Sequence, residues 1–207
     1  MVTLHPKGNK STVMLKVNKS RSKNDEHRGK RHLTKDEMLS ICKVIKKGSR
    51  YPVRDQLMIL MCFYHGLRVS ELTSIRWQHI NLKANTLQVK RKKGSIDTTH
   101  PIFEKRVLNL LNKLHREQGK PSTGFVFQNE RKSPVSNNAF QKMIGKFSTL
   151  ALDIKWNAHA LRHGCGTAMI EAGYPIRKVQ NWLGHSNIQN TVQYLHESTR
   201  QFDDVEF

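Results

Sequence analysis

The residues that could do chemistry in this chain lie in five short strings among its 207 residues. Each string combines cations, imidazole rings or a phenol with neighbours that suggest a turn or a helix face. In chain order they are Gly66–Leu72, Lys90–Lys93, His159–His163, Leu183–His185 and Thr191–Leu195. Metal binding, ion pairing and contact with a polyanion are the chemistries that such side chains permit, and each string alone is a weak signal.

The two histidines of the third string raise the question of a metal site. His159 and His163 are four residues apart, so they would share one helix face, as zinc-binding pairs do. A zinc site would also need Glu or further His and Cys nearby in a fitting pattern. The sequence supplies Arg162 instead, and a cation beside a zinc ligand opposes metal binding. The sequence therefore predicts no metal site.

The other strings also have ordinary structural interpretations. Arg68 follows a helix stop with Glu71 in reach, and such an arginine is usually the partner in a surface ion pair. Lys90–Lys93 lies at a predicted hairpin tip, where charged side chains are commonly just solvated. Tyr194 comes nine residues after His185 and has the ordinary interpretation of a half-buried aromatic. None of these alternatives is decided by its string alone.

The charge balance points to a polyanionic partner. Lys and Arg number 36 against 16 Asp and Glu, which gives a formal net charge of +20. This excess excludes an acidic solvating protein and argues against an enzyme for small cationic substrates. The sequence has no run of about 18 apolar residues, and its apolar stripes resemble core rather than the face of a membrane-binding helix. Nucleic acid, and no membrane, is the predicted partner.

Cysteine usage and the N-terminus indicate the compartment. Cys42, Cys62 and Cys165 are scattered, odd in number and without CxxC spacing, which favours neither a disulfide framework nor a zinc knuckle. Met1–Lys10 lacks the apolar core of a signal peptide. We expect a cytoplasmic protein.

The positive charge is unevenly distributed along the chain. Residues 1–32 carry a net charge of +7, residues 33–196 carry +16 and residues 197–207 carry −3. We interpret residues 1–32 as a basic flexible arm, with a solvated tail of no function as the alternative. The arm cations expected to contact DNA are Lys19, Arg21, Lys23, Arg28, Lys30 and Arg31. Residues 197–207 form an acidic C-terminal tail.

The elements that must position the five strings are mostly helical. A capping box at Thr34–Glu37 starts the first helix, which Gly48 ends. Helical periodicity and glycine stops predict further helices near residues 54–65, 70–75, 103–115, 136–150, 160–172 and 176–183. Alternation of period two between residues 80 and 102 predicts three short strands with a turn near residues 92–95. The predicted fold is mostly α with a small three-stranded antiparallel β-sheet (α+β).

Considered together, the strings resemble one family. Arg68, Lys93, His159-x-x-Arg162, Leu183-Gly184-His185 and Tyr194, in this order, resemble the tyrosine site-specific recombinase (phage integrase) family. The resemblance covers about residues 33–196, which correspond to that family's catalytic domain. Lys92-Lys93-Gly94 with Thr98–Pro101 looks most like the short fimbrial phase-variation recombinases, which invert a promoter segment.

The resemblance implies a role for each of these residues. Tyr194 would be the nucleophile and would leave a 3′-phosphotyrosyl link and a free 5′-hydroxyl. Arg68 and Arg162 would clamp the non-bridging phosphate oxygens, because the guanidinium fork matches phosphate. His159 would accept the tyrosine proton or hold the phosphate, and His185 would donate a hydrogen bond to the same oxygens.

The remaining implied roles concern the hairpin and Glu71. Lys93 would be the general acid for the leaving 5′-oxygen, with Lys92 as a close rival. Lys90, Arg91 and Lys92 would contact DNA from the hairpin, and Glu71 would orient a catalytic cation. The family reaction needs no cofactor, because the phosphotyrosyl ester conserves the bond energy for religation.

The resemblance also implies partners. They are double-stranded DNA, three further copies of the chain in a homotetramer on two DNA sites, and DNA-bending accessory proteins, in a bacterial cytoplasm. Many family members carry a separate core-binding domain, for which residues 1–32 are too few, and we expect the basic arm to substitute in part. The acidic tail is either a segment that docks on the next protomer or idle. Alternative functions are an integrase or excisionase of a mobile element, a non-cutting DNA-binding protein of the same fold, and a metal-dependent nuclease.

Overall fold

The computed structural model describes residues 32–91 and 97–195 in full, together with the backbone of residues 196 and 197. These residues belong to one unit, Arg31–Phe207. Several residues singled out from the sequence lie outside the described ones. They are Lys92 and Lys93, the arm cations Lys19, Arg21, Lys23, Arg28, Lys30 and Arg31, and the acidic residues Asp203, Asp204 and Glu206.

Helix α1 (Lys35–Gly48) begins at the predicted capping box. The Thr34 hydroxyl accepts a hydrogen bond from the Glu37 backbone N–H, and the Glu37 carboxylate accepts one from the Thr34 N–H at 2.8 Å. These bonds satisfy donors that the start of a helix leaves free. The apolar residues with helical spacing are all buried, namely Met38, Ile41, Cys42 and Ile45.

Helix α2 (Pro52–Tyr64) is buried on nearly all sides, as its apolar sequence predicted. It begins before Arg54 because proline is well suited to the first helical position, where its missing N–H has no helical partner. Gly66 then reverses the chain with φ +58°, and the short helix α3 (Val69–Thr73) starts directly after Arg68. The turn between α2 and α3 therefore fixes the position of Arg68.

A three-stranded antiparallel sheet in the order β1-β2-β3 follows. Its strands are β1 (Ile80–Asn81), β2 (Thr86–Val89) and β3 (Thr98–Pro101). The register places Val89 opposite Thr98. Strand β1 ends at Asn81, although the alternation of Ile80 and Leu82 predicts a strand that continues to Leu82. The Asn81 side chain accepts hydrogen bonds from the next backbone N–H groups and so starts a turn instead.

Five helices complete the described residues. They are α4 (Lys105–Glu117), α5 (Asn137–Leu152), α6 (Ala158–Glu171), α7 (Ile176–Leu183) and α8 (Gln189–Glu197). Helix α5 packs on α1, α4 and α6 pack on α2, and α7 and α8 pack on α6. Helix α6 starts two residues earlier than expected, because the Asn157 side chain caps it by accepting from the Ala160 N–H.

The last three helices enclose a small apolar cluster of their own. Its buried members are Cys165, Val179, Leu183 and Tyr194. The sequence placed Tyr194 in a short segment, whereas the structure places it in helix α8. The predicted fold class, mostly α with a small three-stranded antiparallel sheet, is confirmed. Within the described ranges, every helix is too short or too polar to cross a membrane.

Candidate active site

The first guanidinium of the site is that of Arg68 at the start of α3. Its Nη1 donates to Glu71 Oε1 at 2.8 Å, and its backbone N–H donates to Glu71 Oε2 at 2.8 Å. The same carboxylate therefore caps the helix and holds the side chain. Arg68 keeps 39% of its side chain exposed, so a ligand from solvent can reach it.

Glu71 is the centre of the charge cluster. Its side chain is 2% exposed, and Arg91 Nη1 donates to its Oε2 at 2.8 Å. Arg162 Nη1 lies 3.9 Å from the same oxygen. A buried carboxylate requires such partners, because removal from water is costly for a charge. Three guanidinium groups around one carboxylate leave a net positive site, which suits an anionic ligand.

The C-terminus of α7 orders the three arginines. Arg91 Nη2 donates to the Trp182 carbonyl at 2.6 Å, and Arg162 Nη2 donates to the Leu183 carbonyl at 2.7 Å. Arg68 Nη2 donates to the Gly184 carbonyl at 3.3 Å. Consecutive carbonyls at a helix C-terminus have no partner within the helix and carry its negative dipole end. They therefore bind one guanidinium each and set the spacing between the arginines.

Arg162 is buried, and it is more enclosed than the predicted catalytic His159 and His185. It extends from α6 and also donates from Nη1 to the Gly66 carbonyl. Burial, and then the charge of Arg68, lower the pKa of Arg162 to about 10. That pKa leaves the guanidinium charged at neutral pH.

Both predicted histidines are held in the neutral form. Burial, followed by the charges of Arg162 and Arg68, lowers the pKa of His185 to about 3 and also lowers the pKa of His159. His185 Nδ1 lies 2.9 Å from the Thr191 hydroxyl. When that hydroxyl donates to Nδ1, the ring hydrogen is on Nε2, so the neutral ring can still donate a hydrogen bond there.

Tyr194 lies beside these groups and is almost completely buried, with 1% of its surface exposed. Its ring is nearly parallel to that of His185 at 6.2 Å, and the ring of His163 meets it edge-on at 5.3 Å. Gly166 on α6 provides the space for the phenol, because a Cβ there would lie 2.8 Å from the ring. The structure therefore brings together Arg68 and Glu71 at the start of α3, His159 and Arg162 on α6, His185 in the turn after α7, and Tyr194 on α8.

His163 is a site residue that the sequence analysis weighed only as a metal ligand. Its ring touches both His159, at 4.3 Å between centroids, and Tyr194. Among the described residues no group of three or more His, Cys, Asp or Glu side chains could hold a metal ion. The four-residue spacing of His163 from His159 could have indicated that it lies on the same helix face.

The expectation that Arg91 contacts DNA from the hairpin tip is wrong for this structure. Its side chain is fully buried, because Glu71 and the Trp182 carbonyl replace its water. The alternation of Leu87, Val89 and Arg91 carried the signal, since it places all three on one face of the strand. Lys90 points the other way and pairs with Asp97 at 2.7 Å on the surface.

Comparison of the sequence with known proteins finds relatives that match most of this chain. The Phage integrase family profile matches residues 31–201. Type 1 fimbriae regulatory protein FimB of Escherichia coli (strain K12) is 35% identical over 182 residues, which cover 86% of this chain and 90% of FimB. FimE of the same strain is 29% identical over 177 residues, which cover 84% of this chain and 89% of FimE. Tyrosine recombinase XerA of Pyrococcus furiosus is 30% identical over 84% of this chain but only 59% of its own length.

Solved structures share the fold. The crystal structure of XerA recombinase matches with a TM-score of 0.74 at 20% identity, over 85% of this chain and 66% of that one. XerH site-specific recombinase bound to palindromic difH substrate, in its post-cleavage complex, matches with a TM-score of 0.70 at 20% identity. That match covers 84% of this chain and 51% of the XerH chain.

Proposed function

The chain belongs to the phage integrase family of tyrosine recombinases, and from that membership we propose that Tyr194 is the nucleophile with which it cuts DNA. The enzyme is a site-specific recombinase that cuts and rejoins DNA strands. The observation that carries the assignment is the juxtaposition of the Tyr194 ring with His185 and His163, beside the guanidinium groups of Arg68 and Arg162.

The proposed reaction is a transesterification at one backbone phosphate. The Tyr194 oxygen attacks phosphorus, the bond to the 5′-oxygen breaks, and a 3′-phosphotyrosyl ester and a free 5′-hydroxyl result. Arg68 and Arg162 neutralise the non-bridging oxygens, whose negative charge grows in the transition state. Neutral His185 donates a hydrogen bond to the same oxygens from Nε2.

Two proton transfers complete this step. The phenol has an ordinary pKa near 10, so it needs a base. In this proposal His159, whose lowered pKa keeps it neutral, either accepts that proton or holds the phosphate. Lys93, or its rival Lys92, gives a proton to the leaving 5′-oxygen. Religation runs the same steps in reverse, with the 5′-hydroxyl attacking the phosphotyrosyl ester.

Access to the phosphate requires α8 to shift. Tyr194 is buried against α6, with its ring over Gly166 and against His163. A duplex cannot reach a phenol in that position, so cleavage requires the helix that carries it to move outward on DNA.

The partners follow from the family. Double-stranded DNA is the substrate, and we propose a homotetramer on two DNA sites, with DNA-bending proteins as accessories, in the bacterial cytoplasm where the chromosome lies. In this proposal residues 33–196 are the catalytic domain, residues 1–32 are a DNA-binding arm and residues 197–207 are a tail. FimB and FimE are named type 1 fimbriae regulatory proteins, and on that similarity we propose inversion of a DNA segment that controls fimbriae, with integration or excision as the alternative.

A nicked suicide duplex tests this proposal. Cleavage next to the nick releases a short fragment, so religation fails and the covalent protein–DNA adduct accumulates. The wild type is expected to form adduct with or without a chelator, and Tyr194→Phe is expected to bind the duplex without forming any. Adduct formation by Tyr194→Phe would overturn the assignment of the nucleophile, and loss of adduct on chelation would favour a metal-dependent nuclease.

A further inference from the structure

Arg91 is a buried cation that the proposed reaction does not use. Its side chain is fully buried, and it comes from the end of strand β2 rather than from the helices that carry the other arginines. Burial lowers its pKa, and the nearby charge of Glu71 opposes that shift. Hydrogen bonds replace water at its two terminal nitrogens, whereas its Nε is buried without a hydrogen-bond partner among the described residues.

The contacts of Arg91 connect both halves of the charge cluster. Nη1 holds Glu71 Oε2 at 2.8 Å, while the other oxygen of the same carboxylate holds Arg68. Nη2 holds the Trp182 carbonyl at 2.6 Å. The orientation of Glu71, and through it that of Arg68, therefore depends on Arg91.

Arg91 also fits against the turn that carries His185. The backbone of Gly184 packs on its guanidinium so closely that a Cβ at Gly184 would lie 2.6 Å from Arg91 Nε. The turn Leu183-Gly184-His185 is thus fixed between Arg91 on one side and the hydrogen bonds of Arg162 and Arg68 on the other. Strand β2 is held in place by a second contact, because the Arg91 N–H donates to Asp97 Oδ1 at 2.9 Å.

We propose that Arg91 is a positioning residue of the cleavage site, which holds Arg68 through Glu71 and holds the Leu183–His185 turn through the Trp182 carbonyl. It does not contact DNA. This inference rests on the proposed function, because the groups that it positions are those proposed to bind the scissile phosphate.

Variants at Arg91 test the inference on the suicide duplex. Arg91→Met removes both hydrogen bonds, Arg91→Lys keeps the charge but loses the two-pronged geometry, and Arg116→Met makes the same change at an exposed arginine of α4. With saturating protein, Arg91→Met is expected to lower the rate of adduct formation about a hundredfold, the usual cost of a misplaced catalytic group. DNA affinity and its salt dependence are expected to stay as in the wild type. Arg91→Lys is expected to lie between the two, and Arg116→Met to match the wild type.

The same change made in an Arg68→Met protein separates positioning from a general loss of structure. If Arg91 acts through Arg68, Arg91→Met costs much less in an Arg68→Met chain than in the wild type, because the two losses do not add. An equal cost in both backgrounds would overturn the inference. So would weaker DNA binding with a flatter salt dependence, or a lower melting temperature with an unchanged rate at saturation. Failure of the wild type to form adduct would instead overturn the proposed function.

Discussion

At the scale of single residues, the site depends on guanidinium groups rather than on positive charge alone. Arg162 donates to the carbonyls of Gly66 and Leu183 from two nitrogens of one planar group. A lysine ammonium is a point charge on a flexible stem and cannot hold both carbonyls in a fixed plane. The planar shape of the arginine therefore holds its charge in one orientation beside Glu71.

We expect Arg162→Lys to keep the fold and the DNA affinity while lowering the adduct-forming rate by about 10²- to 10³-fold, the loss typical of one removed transition-state donor. The measurement is single-turnover adduct formation on the suicide duplex, with Arg116→Lys as the matched exposed control. A wild-type rate for Arg162→Lys would show that charge alone suffices and that the planar geometry is irrelevant.

At the scale of elements, helix α6 is both the support of the site and the surface on which the nucleophile rests. His159, Arg162 and His163 extend from it, and Gly166, one turn after His163, provides the space for the Tyr194 ring. A side chain at Gly166 would need room that the ring occupies. The distance between α6 and α8 is therefore set by the absence of one Cβ.

Gly166→Ala is expected to lower the free energy of unfolding by about 1–3 kcal/mol, the usual cost of overpacking, because the new Cβ and the buried Tyr194 ring cannot share the space. DNA affinity is expected to be unchanged. Gly48→Ala is the control, because a Cβ there meets only Phe147 at an ordinary 3.7 Å. Equal free energies of unfolding for the two variants, measured with urea, would contradict the close packing of α8 on α6.

A stack of aromatic rings joins three elements behind the arginine cluster. His100 of β3 lies 3.9 Å from Trp182 of α7, and His65 at the end of α2 lies 5.6 Å from His100. Burial lowers the pKa of His65 to about 4, and burial followed by the charge of His65 lowers the pKa of His100 to about 2. The stack is therefore stable only while both rings are neutral.

This stack predicts a pH dependence of stability. Both folded-state pKa values lie below the unfolded value of about 6.5, so the unfolded chain binds more protons between them and unfolding becomes easier as the pH falls below 6.5. Each histidine contributes a slope of up to about 1.4 kcal/mol per pH unit. His100→Phe keeps an aromatic ring on Trp182 but removes one titration, so its free energy of unfolding, measured with urea from pH 7 to 5, should fall less steeply. If the free energy of unfolding falls equally steeply with pH in the wild type and in His100→Phe, protonation of His100 does not destabilise the fold.

Local sequence signals predicted the elements better than the contacts between them. The capping box at Thr34–Glu37 and the glycine stops act through neighbouring residues, so they could be recognised from the sequence alone. The helix around Tyr194 was missed because few of its residues follow a clear apolar period, and its burial depends on packing against Gly166. The burial of the Arg91 side chain was not predicted, because its partners, Glu71 and the Trp182 carbonyl, are distant in the sequence.

At the scale of the whole molecule, the net charge of +20 divides into two functions. Arg68, Arg91 and Arg162 belong to the charge cluster around Glu71, and we propose that exposed cations elsewhere in the chain bind the phosphates of the duplex. Each phosphate neutralised adds about 0.9 to the salt dependence of binding, because counterions are released.

The proposed arm is tested by neutralising its cations without shortening the chain. Replacement of Lys19, Arg21, Lys23, Arg28, Lys30 and Arg31 by Gln should weaken DNA binding and reduce the slope of log affinity against log salt by about 0.9 for each lost contact. The adduct-forming rate at saturating protein is expected to stay unchanged. An unchanged slope would show that the arm does not contact phosphates.

In the proposed reaction the enzyme becomes joined to the 3′ end of the cut strand through Tyr194. The adduct from the suicide duplex can be digested with nuclease and trypsin and its peptides measured by mass spectrometry. We expect a nucleotide joined through its 3′-phosphate to the peptide of residues 179–200, located at Tyr194 by fragmentation, and a free 5′-hydroxyl on the other DNA end. A nucleotide on the peptide of residues 163–177, which contains the exposed Tyr174, or a link to the 5′ end would contradict it.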